Sequence, residues 1–134
     1  MRKKEQQLWD TMKRNCPKDF WLQRIENIVG EGIPDVYSAS PIGLSTWIEL
    51  KAPIAPKRET TRLLGAEGLR TGQINWHLKA ASKGLRSYIL MRDTEKRLFM
   101  VEGKYAAALN EQTVEGIQCR SVATSWQGIF EELR

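Results

Sequence analysis

Two short stretches, GIPDVY at residues 32–37 and STWIELKAP at residues 45–53, decide how this chain folds. Both are typical of β-strands, and only a short turn separates them. Alternate side chains of a strand share a face, so Glu49 and Lys51 point together while the leucine between them points into a core. If the two strands pair, Asp35 joins that face. Two carboxylates and an ammonium group there predict a site for a hard divalent cation and a phosphate. The alternative is a surface ion pair of negligible energy.

The composition is that of one globular domain spanning residues 1–134. No apolar run approaches the roughly 18 residues of a membrane span, and no secretory signal follows the basic N-terminus. One histidine and two scattered cysteines exclude a zinc site. The net charge of +5 and the pI of about 9.4 favour a polyanionic partner such as nucleic acid. We therefore expect a cytoplasmic protein without membrane contact.

The order of predicted elements is that of an α/β protein. Amphipathic spacing predicts a first helix, alternation predicts three strands in an antiparallel meander, and a long loop leads to a second helix that ends at Gly84. A hairpin and two short helices complete the chain. The predicted bounds are helix 5–14, strands 20–28, 35–40 and 46–51, loop 52–72, helix 73–83, hairpin strands 87–92 and 97–102, and helices 104–110 and 125–133.

A Pro-Asp at the start of one strand, followed by Glu-x-Lys on the next, resembles the PD-(D/E)XK nuclease superfamily. Here Asp35 supplies the first part of the pattern, and Glu49 and Lys51 supply the second. The strand context and the downstream Gln73 make the match more specific than such pairs alone. The resemblance implies a restriction-endonuclease-like α/β fold, with a central mixed sheet flanked by helices.

The fuller pattern adds RIEN at residues 24–27, QINW at residues 73–76 and Gly84. It resembles the small stand-alone VRR-NUC proteins of bacteriophages and, more distantly, the archaeal Holliday-junction resolvases. The resemblance covers residues 5–90 and implies a phage-encoded protein that works in the cytoplasm of a bacterial host.

The resemblance also implies metal-dependent hydrolysis of phosphodiester bonds. Asp35 and Glu49 would be ligands of Mg²⁺ or Mn²⁺, with the backbone carbonyl of Leu50 as a third ligand. Glu5, early in the first helix, would add a further acid. Lys51 would lie beside the attacking water or the phosphate, as a charge stabiliser or a proton acceptor.

Several of these roles have alternatives. Glu5 is equally well explained as a solvated glutamate in the first turn of a helix, and Glu26, at the end of the first strand, is its rival for the metal. Gln73 is expected to form hydrogen bonds near Lys51 and the phosphate, or else to cap its helix. We expect His77 at the surface or its boundary, and the tryptophans mostly in core-facing positions.

Basic residues outside the metal site predict contacts with DNA. Arg24 would clamp a phosphate, and the alternative is an ion pair at a strand edge. Lys57, Arg58, Arg62 and Arg70 lie in the predicted long loop, where they would contact the DNA backbone. Such contacts fix position and do not read sequence. The alternative is a solvated charged loop.

The predicted function is therefore that of a divalent-metal-dependent DNA endonuclease, selective for branched DNA such as Holliday junctions. A catalytically idle DNA-binding or phage interaction module with the same fold is the alternative. A four-way junction has two-fold symmetry, which favours a homodimer. The apolar residues at 87–101 and 125–133 would form its interface, or else complete the monomer's own core.

Overall fold

The computed structural model describes residues 3–25, 32–65 and 68–134 of the chain. Within these ranges six strands form one sheet, and their spatial order follows the chain order. The strands are β1 (Trp21–Arg24), β2 (Val36–Ala39), β3 (Ser45–Lys51), β4 (Ser87–Arg92), β5 (Leu98–Glu102) and β6 (Ser121–Ala123). The helices are α1 (Lys3–Asn15), α2 (Thr71–Ser82), α3 (Ala106–Leu109), α4 (Val114–Arg120) and α5 (Trp126–Leu133). None of the described helices is long and apolar enough to cross a membrane.

The sheet is mixed, as predicted. β1, β2 and β3 form the predicted antiparallel meander. β3 and β4 are parallel, and the chain between them returns through a long connection and α2, as a parallel pair requires. β4 and β5 form the predicted antiparallel hairpin, and β6 adds an antiparallel strand beside β5.

Apolar side chains cover both faces of the sheet. On one face Ile48 and Leu50 of β3 pack with Met12 of α1 and Ile129 of α5. On the other face Ile89 of β4 packs with leucines of the long connection and with α3 and α4. The central strands β4 and β5 are buried along their whole length except for their last residues.

The hairpin at residues 87–101 and the tail at residues 125–133 complete this core. The apolar side chains of β4 and β5 are buried, and so are Ile129, Phe130 and Leu133 of α5. Of the two interpretations of these segments, a dimer interface or completion of the monomer's own core, the structure therefore supports the second. The physical reason is that a strand covered on both faces is apolar at every position. All of its apolar side chains are then used in the core, and none is left to form an interface with a partner.

The predicted long loop between β3 and α2 is anchored to the rest of the chain. Leu63, Leu64 and Leu69 are buried in the core on the second sheet face. Asn110 binds Leu69 twice: its Oδ1 accepts from the Leu69 amide at 2.7 Å, and its Nδ2 donates to the Leu69 carbonyl at 2.8 Å. The basic residues of this connection are therefore carried on a segment with fixed contacts.

The tryptophans depart from the predicted core-facing pattern. Trp9 is buried, but Trp21, on the edge strand β1 of the described sheet, is 57% exposed. Trp21, Tyr37, Trp47 and Trp76 form a row of edge-to-face pairs whose ring centroids are 5.2–5.7 Å apart. This row crosses β1, β2 and β3 and ends on α2.

Two elements of the structure were not predicted. α4 is short, and it begins where the Thr113 hydroxyl accepts a hydrogen bond from the Gly116 amide at 3.3 Å. β6 has three residues and pairs with β5 beside an irregularity at Met100 and Val101. Both elements are too short for hydrophobic periodicity to reveal them. The last part of the predicted first strand, including Glu26, lies outside the described residues.

Candidate metal and phosphate site

The register of β2 and β3 brings the predicted acidic residues together. Val36 pairs with Ile48, so Asp35 lies opposite Glu49, one residue before β2 begins. Glu49 and Lys51 are alternate residues of β3 and share the sheet face that α2 covers. The three residues of the Asp and Glu-x-Lys pattern therefore meet at one end of β3.

Backbone contacts fix the position of Asp35. Its Oδ2 accepts a hydrogen bond from the Leu50 amide at 2.8 Å. Arg24 Nη1 lies 3.6 Å from Asp35 Oδ1, and it donates to the carbonyls of Asp35 at 2.7 Å and of Ile25 at 2.9 Å. The structure thus has the ion pair that was the alternative interpretation of Arg24. A phosphate contact by Arg24 stays a prediction.

Glu49 is a buried carboxyl group with one unpartnered oxygen. Its side chain is 2% exposed, and its Oε2 accepts a hydrogen bond from Gln73 Nε2 at 3.0 Å. Its Oε1 has no hydrogen-bond partner among the described residues. Burial raises the pKa of Glu49 well above its ordinary value. The charge of the neighbouring Asp35 carboxylate raises this pKa further, as does a side-chain hydrogen bond to Asp35 that only the protonated carboxyl group can form, whereas Lys51 opposes the shift. A cation at the free oxygen would relieve the cost of this burial.

Gln73 caps its helix and also forms a hydrogen bond with Glu49. Its Oε1 accepts a hydrogen bond from the Arg70 amide at 2.9 Å, which caps the first turn of α2. The side-chain amide is thereby oriented so that its Nε2 faces Glu49. The contact is with the carboxyl group of Glu49, whereas the sequence-based expectation was a position near the lysine and the phosphate.

Lys51 lines a cavity beside the N-terminal end of α1. Its side chain is 9% exposed, and it forms no ion pair or hydrogen bond with another described residue. Lys4 and Glu5 line the same cavity, which has a volume of about 300 Å³. Glu5 is partly buried, and its charge adds a small upward contribution to the pKa of Glu49.

The donor set fits a hard divalent cation. Mg²⁺ is held in proteins by one or two carboxylates and keeps several waters, which suits Asp35 and the free oxygen of Glu49. The amide and carbonyl of a strand residue point to the same side, so the Leu50 carbonyl opens toward Asp35. No group of three or more acidic, histidine or cysteine side chains gathers around a common point in the described part of the chain. Participation of Glu5 therefore stays a prediction.

The predicted DNA-contacting residues of the long connection face solvent. Lys57, Arg58, Arg62 and Arg70 are exposed. None of them forms an ion pair with a carboxylate of residues 3–25, 32–65 or 68–134. The backbone of Arg62 is held by a bridge to Thr113, which leaves its side chain available.

His77 was expected at the surface but is fully buried. It follows Gln73 by one helical turn and faces the sheet, where its Nδ1 lies 3.0 Å from Ser87 Oγ. Burial lowers the pKa of His77 to about 4, so the ring is neutral at physiological pH. His77 therefore helps to seat α2, and with it Gln73, on the sheet.

A close contact between two glycines also positions the site. Gly32 has a φ of +81°, and a Cβ atom on it would overlap the carbonyl of Gly72. The backbone before Asp35 therefore lies directly against the first turn of α2, where Gln73 begins its reach to Glu49. The sequence showed both glycines, but only as turn and loop residues.

Comparisons with known proteins agree with this architecture. No family profile and no curated protein matches the chain. Its structure is similar to that of Archaeoglobus fulgidus Hjc, a Holliday junction resolvase from an archaeal hyperthermophile, with a TM-score of 0.56. The two are 14% identical, and the match covers 94% of this chain and 97% of that chain. The likeness shows the fold, so the predicted α/β restriction-endonuclease-like fold is confirmed.

The burial of Glu49 predicts that Glu49→Gln stabilises the metal-free protein. Because its pKa is raised in the folded state, protonated Glu49 stabilises the fold, and this contribution is complete at any pH below the ordinary pKa of 4.5. The contribution is lost as the pH rises through the folded-state pKa. In EDTA at pH 8 we expect the variant to gain about 1 kcal/mol or more in the free energy of unfolding. At pH 4 the gain should vanish.

Thermal and urea unfolding of both proteins across this pH range measures the difference. Glu111→Gln, at an exposed position, is the matched control and should change nothing. A Glu49→Gln protein that is less stable than the wild type at pH 8 would contradict this account of the site.

Proposed function

We propose that this chain is a divalent-metal-dependent deoxyribonuclease that uses Mg²⁺ or Mn²⁺. The observation that carries the proposal is the buried Glu49, whose free oxygen lies beside Asp35 and on the same strand face as Lys51. Carboxyl groups placed in this way cost stability, and a cation-dependent reaction explains why the fold holds them there.

Each residue has a distinct part in the proposed reaction. Asp35 and Glu49 would hold the metal with the Leu50 carbonyl, and Glu5 would add a further ligand. The bound ion supplies Lewis-acid chemistry, lowering the pKa of a water and offsetting charge on the scissile phosphate. Gln73 orients Glu49 through its hydrogen bond. Lys51 stabilises the negative charge that develops on the phosphate, or accepts a proton from the attacking water.

The proposed substrate is branched DNA, such as a Holliday junction. Support comes from the structural similarity to a protein described as a Holliday junction resolvase. The net charge of +5 and the exposed Lys57, Arg58, Arg62 and Arg70 support binding to the phosphate backbone. We further propose that residues 1–134 act as one nuclease domain of the phage VRR-NUC type, in the cytoplasm of a bacterial host, as the sequence pattern implies.

Metal-dependent cleavage is the direct test of the proposed function. We expect cutting of DNA in Mg²⁺ or Mn²⁺ and none in EDTA, while Ca²⁺ should support binding with poor turnover. Asp35→Asn and Lys51→Met should each lower the rate by about 100-fold or more. Lys79→Met, on the exposed face of α2, is the control and should cut normally. If the wild-type protein binds DNA but does not cut it under any of these conditions, the chain is a catalytically idle binding module.

A homodimer is proposed as the working unit on junction DNA. Because the hairpin and the tail are buried, its interface must lie elsewhere. Ile42 is 78% exposed in the β2–β3 turn, and Leu44 and Leu85 are exposed just before the parallel strands β3 and β4. These positions lie at the same end of the sheet and could pair across a two-fold axis.

Sedimentation at micromolar concentration should give twice the monomer mass of 15.4 kDa. Ile42→Glu with Leu85→Glu should yield a monomer that no longer cuts junction arms in symmetric pairs. Val122→Glu is the control variant. Val122 lies on β6, an edge strand of the described sheet away from the proposed interface, so this variant should remain dimeric. A strictly monomeric wild type that trims linear ends equally well would overturn this proposal.

A further inference from the structure

A groove runs from Lys51 along the N-terminal end of α1 to the tip of the β4–β5 hairpin. Its first part has a volume of about 300 Å³ and is lined by Lys4, Lys51 and the residues that follow β3. Its second part, of about 180 Å³, extends to Arg92 and Lys96 of the hairpin. Lys4 and two residues after β3 line both parts, so the two parts are adjacent.

The groove is basic. Besides Lys51, its lining cations are Lys3, Lys4, Arg92 and Lys96. None of them forms an ion pair with a carboxylate in the part of the chain that the structure describes. Of the two carboxylates that line the groove, Asp93 is neutralised by Arg97, whose Nε lies 2.7 Å from Asp93 Oδ2. Among the described residues that line the groove, Glu5 is then the one carboxylate left to offset the cations.

The walls of the groove are held by specific bonds. The Thr94 hydroxyl accepts a hydrogen bond from the Ala55 amide at 2.9 Å, which ties the chain after β3 to the hairpin tip. Asp93 Oδ1 accepts from the amides of Glu95 at 2.9 Å and Arg97 at 3.0 Å, which fixes the turn. On the other side α1 is packed into the core through Leu8 and Met12. The groove is therefore formed before any ligand arrives.

The occupant must be an extended anion. The cations are distributed along two adjacent cavities, so they suit a polymer with repeated charges better than a single small anion. The groove also begins at Lys51, a largely buried residue whose side chain lines the cavity and forms no ion pair with the described residues. A sugar-phosphate backbone is bound in this way by lysine and arginine side chains and by amides at a helix N-terminus.

We propose that this groove binds the DNA strand on one side of the scissile phosphate, with Lys4 and Lys96 contacting successive phosphates. This inference rests on the proposed nuclease function and assigns a second binding surface in addition to the exposed loop with Lys57, Arg58 and Arg62. The cut strand would then pass from the groove over Lys51 into the metal site.

Lys96 offers a variant that separates binding from folding. Its φ is +65°, a left-handed conformation that asparagine adopts more readily than lysine. Lys96→Asn should therefore keep or raise the melting temperature while it removes a phosphate contact. We combine it with Lys4→Gln as the groove pair. Lys79→Gln with Lys83→Gln, exposed near the far end of α2, is the control pair with the same change in net charge.

Binding of a four-way junction and of a matched duplex is measured in Ca²⁺ over a range of salt concentrations. The groove pair should weaken binding to both and reduce the slope of log K against log salt by about 2, since each lost phosphate contact removes about 0.9. The control pair should leave the slope unchanged. A wild type that neither binds nor cuts DNA would defeat the proposed function itself. If it binds and cuts, but both pairs change the slope equally or not at all, only the groove inference fails.

Neutral methylphosphonates placed one at a time along the cut strand locate the contact. In the wild type we expect a run of sensitive phosphates on one side of the scissile bond. In the groove pair these phosphates should no longer be sensitive. The lysines that contact them have already been replaced, so removing the phosphate charge has no further effect on binding. Neutralising Lys57, Arg58 and Arg62 should leave that run intact and affect other positions. Unchanged sensitivity in the groove pair would overturn the proposal.

Discussion

The hydrogen bond from the Leu50 amide to the Asp35 carboxylate, 2.8 Å long, is the contact on which the candidate site depends. β2 pairs with β3 only as far as Ile48, and β3 continues past that point with β4 as its neighbour. If β2 were longer, its backbone would form the next hydrogen bond with β3. Here the side chain of Asp35 forms that bond instead. One carboxylate is thereby held opposite Glu49, at the place where the sheet opens toward α1 and the groove.

The site is assembled at a cost to stability. Glu49 is buried with an unpartnered oxygen, and Lys51 is buried without an ion pair in the described ranges. Gln73 and the contact between Gly32 and Gly72 hold α2 in place over these groups. A fold that needed only to be stable would fill this position with apolar side chains, as it does elsewhere on β3 and β4. Groups preorganised to bind a cation explain why polar side chains are buried at this position.

Much of this arrangement could be predicted from local patterns in the sequence. The alternation in β3 predicted that Glu49 and Lys51 share a face, and the turn residues predicted the meander. The burial of His77 and the hydrogen bond from Gln73 to Glu49 depend on how α2 packs across the sheet. No local sequence pattern predicts that packing. The apolar hairpin was ambiguous because a strand buried within a chain and a strand buried between subunits have the same composition. Arg24 was ambiguous because its partner Asp35 becomes a neighbour only when β1 and β2 pair.

The central claim is that Asp35 and Glu49 together hold a divalent cation. Anomalous scattering from crystals soaked in Mn²⁺ tests it most directly. The account predicts a single strong peak about 2.1 Å from a carboxylate oxygen of each residue, absent when Glu49 is replaced by glutamine. An ion bound only elsewhere, with the Lys51 ammonium group lying between the two carboxylates, would contradict it.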